Sequence, residues 1–148
     1  LKNSKDFFAG SWHFTRKIYH AETLYAQGEG KAVFMPDESD NKLIYNESGF
    51  IILAENRKRL PFHRSFLYEF EQEKITVFFN DGMDKGKLYQ QYIYDKEKQL
   101  IQSVCEHLCV ADGYDGKYFL TDKNSFRLET RIQGPKKDMF IHTLFRRI

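Results

Sequence analysis

Little in this chain could act as a covalent staple, a membrane anchor or a metal clamp. Its 148 residues include two cysteines, three prolines and one tryptophan. Cys105 and Cys109 are four residues apart on one extended segment. That spacing holds them roughly 13 Å apart and forbids a bridge between them. No apolar run approaches the ~18 residues of a spanning helix, and none has the form of a signal peptide. With unpaired thiols, a reducing cytoplasm is the expected compartment. The chain starts at Leu1, so a trimmed leader would leave no trace.

Charge of either sign is also not in excess. Lys and Arg number 23 against 21 Asp and Glu, a formal net charge of +2. That is too small to argue for nucleic acid or an anionic membrane as partner. There is no Gly-rich phosphate loop, no Gly-x-Ser-x-Gly elbow and no His-Glu-x-x-His helix. His107 and Cys109 hint at zinc, but the usual spacers and a second ligand pair are missing. The other histidines, His13, His20, His63 and His142, form no constellation. No metal and no cofactor is called for. The runs Asn56-Arg57-Lys58-Arg59 and Lys136-Lys137 read as solvated turns.

Aromatics are what the chain has in quantity, at 16% with 14 Phe and 9 Tyr, a composition that favours strands. Asn3 to Ala9 can form one or two helical turns with Ser4 as N-cap. After Gly10 the pattern alternates with period two. Strands are expected over 12–20, 28–35, 42–54, 62–70, 75–79, 87–94, 100–110, 117–121, 126–132 and 139–147. Turn chemistry separates them: Pro36-Asp37, Asn80-Asp81-Gly82, Asp95-Lys96, Asp112-Gly113, Asp122-Lys123-Asn124 and Gly134-Pro135. Asp112 to Gly116 reads as a tight turn. No connection has room for a helical crossover, so neighbouring strands pair antiparallel, and a meander removes its edges by closing. The expectation is an all-β, up-and-down antiparallel barrel of eight to ten strands with a short N-terminal helix, one domain over residues 1–148.

Gly10-Ser11-Trp12, after a short helix and opening the first strand, resembles the Gly-x-Trp motif of lipocalin-like (calycin) barrels. In those barrels an Arg from the last strand covers the Trp at the closed end, a role open here to Arg146 or Arg147. The whole chain also resembles a family of small uncharacterised lipocalin-like barrels of bacteria and some eukaryotes. The blocks that carry the likeness are Phe8 to Trp12 with Arg16 and Ile18, Gly30 with Ala32 and Phe34, Tyr45 to Gly49, and Arg64 to Tyr68. Further blocks are His107 to Tyr118, Gly134 to Asp138, and Thr143, Phe145 and Arg147. The chain departs from the pattern at Leu88-Tyr89, where Phe-His is usual, and at Phe126 and Thr130, where Trp is usual. The resemblance implies the barrel and no chemistry.

If Trp12 faces inwards, so do Phe14, Arg16 and Ile18. Tyr45 and Glu47 share a second face, Arg64 and Tyr68 a third, and His107, Cys109, Tyr114 and Tyr118 add an imidazole, a thiol and phenols. A buried Arg needs a partner, and Glu47 could pair with Arg16 or Arg64. One reading of these residues is a structural ion-pair cluster that fixes register. It would carry one surplus positive charge, which an anionic ligand would balance. The function expected is therefore binding of a small, partly apolar, anionic molecule in a polar-lined lumen. The ligand-binding set is Arg16, Tyr45, Glu47, Arg64, Tyr68, His107, Cys109, Tyr114 and Tyr118. One alternative is a small enzyme of the isomerase or decarboxylase kind, with Glu47 or His107 moving a proton. Another is a haem-binding barrel through His107.

Overall fold

The structure is a computed structural model that describes residues 4–104 and 113–148. A short helix, α1 (Ser4–Phe8), precedes ten strands: β1 (Gly10–His20), β2 (Thr23–Pro36), β3 (Lys42–Leu53), β4 (Arg59–Glu71) and β5 (Lys74–Phe79). After these come β6 (Leu88–Asp95), β7 (Leu100–Ser103), β8 (Gly113–Asp122), β9 (Ser125–Gly134) and β10 (Lys137–Arg147). Each strand pairs antiparallel with the next, and β1 pairs with β10 to close the barrel. Among the described residues, closure leaves no strand without a partner on each side. Among the described residues no helix is long and apolar enough to cross a membrane.

The strands match the period-two reading, with two differences that have physical causes. β2 begins at Thr23, five residues before the expected start, because His20 pairs with Thr23 across a two-residue hairpin. Ala21 and Glu22 make that turn with left-handed backbone, φ 47° and 68°. The geometry suits a hairpin, but neither residue belongs to the Gly or Asn types that announce it. The expected turn over Asp112–Gly116 is also corrected, since β8 is already extended at Gly113 and runs through Gly116 against Thr130 of β9. A Cβ on Gly116 would lie 3.1 Å from the Tyr92 ring, so this glycine serves close packing and not a bend. The expected strand over 100–110 is described only as far as Ser103. Cys105, His107, Cys109 and Asp112 lie outside the described residues.

Inward positions of β1 read Trp12, Phe14, Arg16 and Ile18, and the register carries that face round the sheet. On β2 the face is Ala26, Gly28, Gly30, Ala32 and Phe34, almost without bulk at its centre. Gly30 lies opposite Gly49 on β3, and a Cβ at Gly30 would come within 2.2 Å of the Ser48 carbonyl and 2.7 Å of the Phe14 ring. The two strands therefore approach as only glycines allow, and Phe14 lies across the gap.

One end of the barrel is filled. Phe7 and Phe8 of α1 insert among Trp12, Phe34, Phe70, Tyr118 and Phe126, with ring centroids 5.1–6.3 Å apart. Phe126 stacks on Phe145 at 4.3 Å. A five-residue helix cannot hold itself in water, so its C-terminal carbonyls need partners. The Trp12 indole N–H donates to Phe8 O at 2.8 Å. Arg147 donates to Phe7 O at 2.7 Å and Ala9 O at 3.0 Å, with its guanidinium 4.1 Å over the Trp12 ring. Arg147, not Arg146, is the cover. Replacing it in Arg147→Met should cost about 2–4 kcal/mol, because charge-assisted bonds and the stack on Trp12 are lost together. Urea unfolding followed by Trp12 fluorescence reads this, and wild-type stability would mean that apolar contacts alone hold the plug.

Candidate functional site

Beyond the aromatic plug the barrel keeps a cavity of about 200 Å³. Its walls include Ile18, Phe34, Phe66, Leu128, Ile132 and Ile141, and its polar groups are Arg16, Tyr45, Glu47, Arg64, Tyr68, Tyr89, Tyr92, Tyr118, Thr130 and Thr143. A hollow of about 320 Å³ lies beside Tyr19, Arg131 and Phe140, and two larger ones lie elsewhere. One, of about 640 Å³, is at the plugged end between α1 and the strand turns. The other, of about 680 Å³, crosses the outer face past Lys17, Phe50, Arg59 and Leu144. The first cavity is the one that the inward faces of the strands enclose.

Arg16 and Glu47 meet across this cavity in a bidentate pair, Nη1 to Oε2 at 2.7 Å and Nη2 to Oε1 at 2.9 Å. Arg16 Nε donates to Thr143 Oγ1 at 2.9 Å, and the Tyr45 hydroxyl donates to Glu47 Oε1. The guanidinium also lies 4.6 Å from the Phe14 ring and 5.7 Å from the Phe62 ring. Glu47 is only 5% exposed. Burial alone would raise its pKa, but the bonds and charge of Arg16 and the Tyr45 hydroxyl outweigh it and hold the carboxyl below its ordinary range. Burial likewise opposes the Arg16 charge, and Glu47 reverses that, leaving the guanidinium more firmly protonated than usual. A carboxylate so stabilised is a poor proton acceptor, which weighs against Glu47 as a catalytic base.

Arg64 lies directly opposite Glu47 in the β3–β4 register and lines the cavity, yet its side chain is 47% exposed. Its Nε lies 3.7 Å from Asp81, a carboxylate anchored by the Ser65 backbone N–H at 2.9 Å. The expected surplus of one positive charge is thus corrected: Asp81, from the turn after β5, stands against the second cation. Nothing in the alternation of β4 could show this, because Asp81 is outside any strand.

Tyrosines form the remaining polar lining. Tyr68 and Tyr118 share a hydrogen bond at 2.7 Å, and Tyr92 meets Tyr118 edge-on at 5.1 Å. Burial pushes the hydroxyl pKa values of Tyr45, Tyr68, Tyr92 and Tyr118 well above the ordinary phenol range. Tyr89 is pushed up to about 12, by burial first and by Tyr114 second. All five are neutral hydrogen-bonding groups at physiological pH.

Six of the nine expected site residues come together here: Arg16, Tyr45, Glu47, Arg64, Tyr68 and Tyr118. Tyr114 does not line the cavity. It stands half-buried behind Tyr89, their rings perpendicular at 6.2 Å, because its strand continues past the expected turn and carries it away. His107 and Cys109 lie outside the described residues. The sequence reading missed Tyr89, Tyr92, Thr130 and Thr143. Alternation from Tyr94 would have found Tyr92, and alternation from Phe145 would have found Thr143. Tyr89 was hidden by the irregularity where Phe78 pairs with Leu88.

A closed antiparallel barrel with one plugged end and a polar-lined cavity defines the class. Residues 8–147 match DUF6314, a family of unknown function, and the chain belongs to that family. No curated protein matches it. Among solved structures it is similar to the S-type phycobiliprotein lyase CPES from Guillardia theta, with TM-score 0.64, 8% identity, and 99% of this chain and 93% of that one covered. It is also similar to a protein of unknown function of the DUF3598 family from Nostoc punctiforme, with TM-score 0.60, 9% identity and 97% of this chain covered. The match spans 49% of that protein. A de novo designed fluorescence-activating β-barrel matches with TM-score 0.52 and 11% identity over 100% of both chains. At such identities the likeness is one of fold.

The ion pair yields a prediction about stability. Glu47→Leu alone should cost about 3–5 kcal/mol by leaving the buried Arg16 unpaired, and Arg16→Met with Glu47→Leu should cost clearly less. Because the folded-state pKa of Glu47 is lowered, its contribution is full above the ordinary value of 4.5 and is lost as pH falls through the folded value. Wild-type stability should therefore drop with acidification below that point more steeply than the double variant's. Denaturant titrations at several pH values measure both effects, and equal slopes would contradict the coupling.

Proposed function

We propose that the barrel binds a small, partly apolar, anionic molecule in its lumen, with the apolar part among the inner aromatics and the acidic group at the rim beside Arg64. The observation that supports this most is the uneven state of the two arginines. Arg16 is held by Glu47 and Thr143, whereas Arg64 is half-exposed and has one loose ion pair at 3.7 Å. A ligand carboxylate can compete for Arg64 without breaking the buried pair. The cavity of about 200 Å³ suits a molecule with the bulk of roughly six or seven waters. That is well below what a haem macrocycle occupies, and His107, on which a haem reading rests, is outside the described residues. The cytoplasm is the compartment we assign, on the sequence spacing that keeps Cys105 and Cys109 from bridging one another. A designed fluorescence-activating barrel and a phycobiliprotein lyase share this fold, which is compatible with a scaffold that encloses small molecules.

Calorimetric titration with para-isopropylbenzoate and its neutral isostere para-isopropylbenzamide tests the reading. The benzoate should bind wild type more tightly, and Arg64→Met should weaken it about tenfold while leaving the benzamide unchanged. Equal affinity of wild type and Arg64→Met for the benzoate would return Arg64 to a purely structural role.

A further inference from the structure

The floor of the lumen holds one more hydrogen-bond donor than it can use. Tyr68 and Tyr118 are 6% and 3% exposed, their hydroxyl oxygens are 2.7 Å apart, and either can be the donor. Two phenols carry two O–H protons, and one bond between them uses only one. Whichever hydroxyl accepts must still place its own proton. Tyr92, whose hydroxyl is a second hydrogen-bond partner of Tyr118, extends the run to three phenols with three O–H protons and two bonds, so one proton is again left over. All three tyrosines line the cavity, with Phe34 beside Tyr68 and Phe126 beside Tyr118. A buried donor without an acceptor is costly, and a ligand atom can remove that cost.

We propose that the ligand carries an uncharged hydrogen-bond acceptor, a carbonyl or ether oxygen or an aromatic nitrogen, at the end opposite its acidic group, and that the Tyr68–Tyr118–Tyr92 run of hydroxyls donates to it. This rests on the lumen reading above and narrows it to a two-ended class: an acid whose far end is a neutral acceptor, with an apolar body between. A second anionic group at the deep end is disfavoured, because Arg16, the inner cation of the lumen among the described residues, is neutralised by Glu47. A hydrocarbon end is disfavoured because it leaves the surplus O–H unmatched. The run also has a built-in tolerance. Removing an end hydroxyl leaves a bonded pair with one spare O–H, and removing Tyr118 frees the O–H of both others, so at least one donor remains.

Two isosteric probes separate this claim from the one it rests on. Para-acetylbenzoate and para-isopropylbenzoate share the acid and the shape, and differ by a carbonyl oxygen in place of a methyl group. Wild type should prefer the acetyl compound by about fivefold to tenfold. Tyr68→Phe and Tyr118→Phe should each keep at least part of that preference. The triple variant Tyr68→Phe, Tyr92→Phe and Tyr118→Phe should lose it while binding para-isopropylbenzoate as wild type does, which also shows that the lumen has survived the substitutions. Equal binding of the two probes by wild type overturns the donor assignment and leaves the Arg64 reading standing. A triple variant that keeps the preference overturns it too, as does a single variant that abolishes it. Failure of both benzoates to bind overturns the lumen reading itself.

Discussion

The Arg16–Glu47 pair divides this barrel into two halves with different physics. Below it the interior is aromatic and filled, with Trp12, Phe14, Phe126 and Phe145 fully or almost fully buried. From its level upward the inner wall of β2 lacks bulk at Gly28 and Ala26, and space remains. A buried guanidinium is tolerable only with a well-matched carboxylate and further bonds, and here Glu47, Tyr45 and Thr143 supply them. Each of those partners comes from a different distance along the chain, two from β3 and one from β10, so the pair also binds β1 to strands on both sides of the closure.

That arrangement explains where a ligand's charge can go. A cation already neutralised in the middle of the lumen offers little to an anion, so on the proposed reading the charge-selective element is Arg64 at the rim. Depth then becomes a matter of shape and neutral hydrogen bonds. The tyrosines suit this division, because burial keeps them protonated and their rings supply wall as well as donor. The glycines matter too: close approach of β2 and β3 at Gly30 and Gly49 lets Phe14 lie against the guanidinium of Arg16.

Much of this was legible in the sequence because a barrel wall repeats every two residues, and one inward residue per strand sets all the rest. Trp12 oriented Arg16, Tyr45 oriented Glu47, and Arg64 and Tyr68 followed. The errors fell where that rule is interrupted. The Ala21-Glu22 hairpin uses left-handed residues without the usual glycine, so β2 began earlier than its composition suggested. Gly113 and Gly116 looked like turn residues, yet they are extended, and Gly116 makes room for Tyr92. Asp81 reaches Arg64 from a turn, where periodicity says nothing of direction. The charge balance of the site therefore could not be read from strand faces alone.

The central claim is that the lumen, and not the larger outer groove past Phe50 and Leu144, takes the ligand. Backbone and side-chain NMR of the protein titrated with para-acetylbenzoate tests this most directly. The account predicts saturable shifts confined to inward residues, with Tyr45, Tyr68, Tyr118, Ile141 and Arg64 moving and Lys17, Phe50, Arg59 and Leu144 unmoved. Shifts concentrated on those outward residues, with the lumen tyrosines unchanged at saturation, would contradict it.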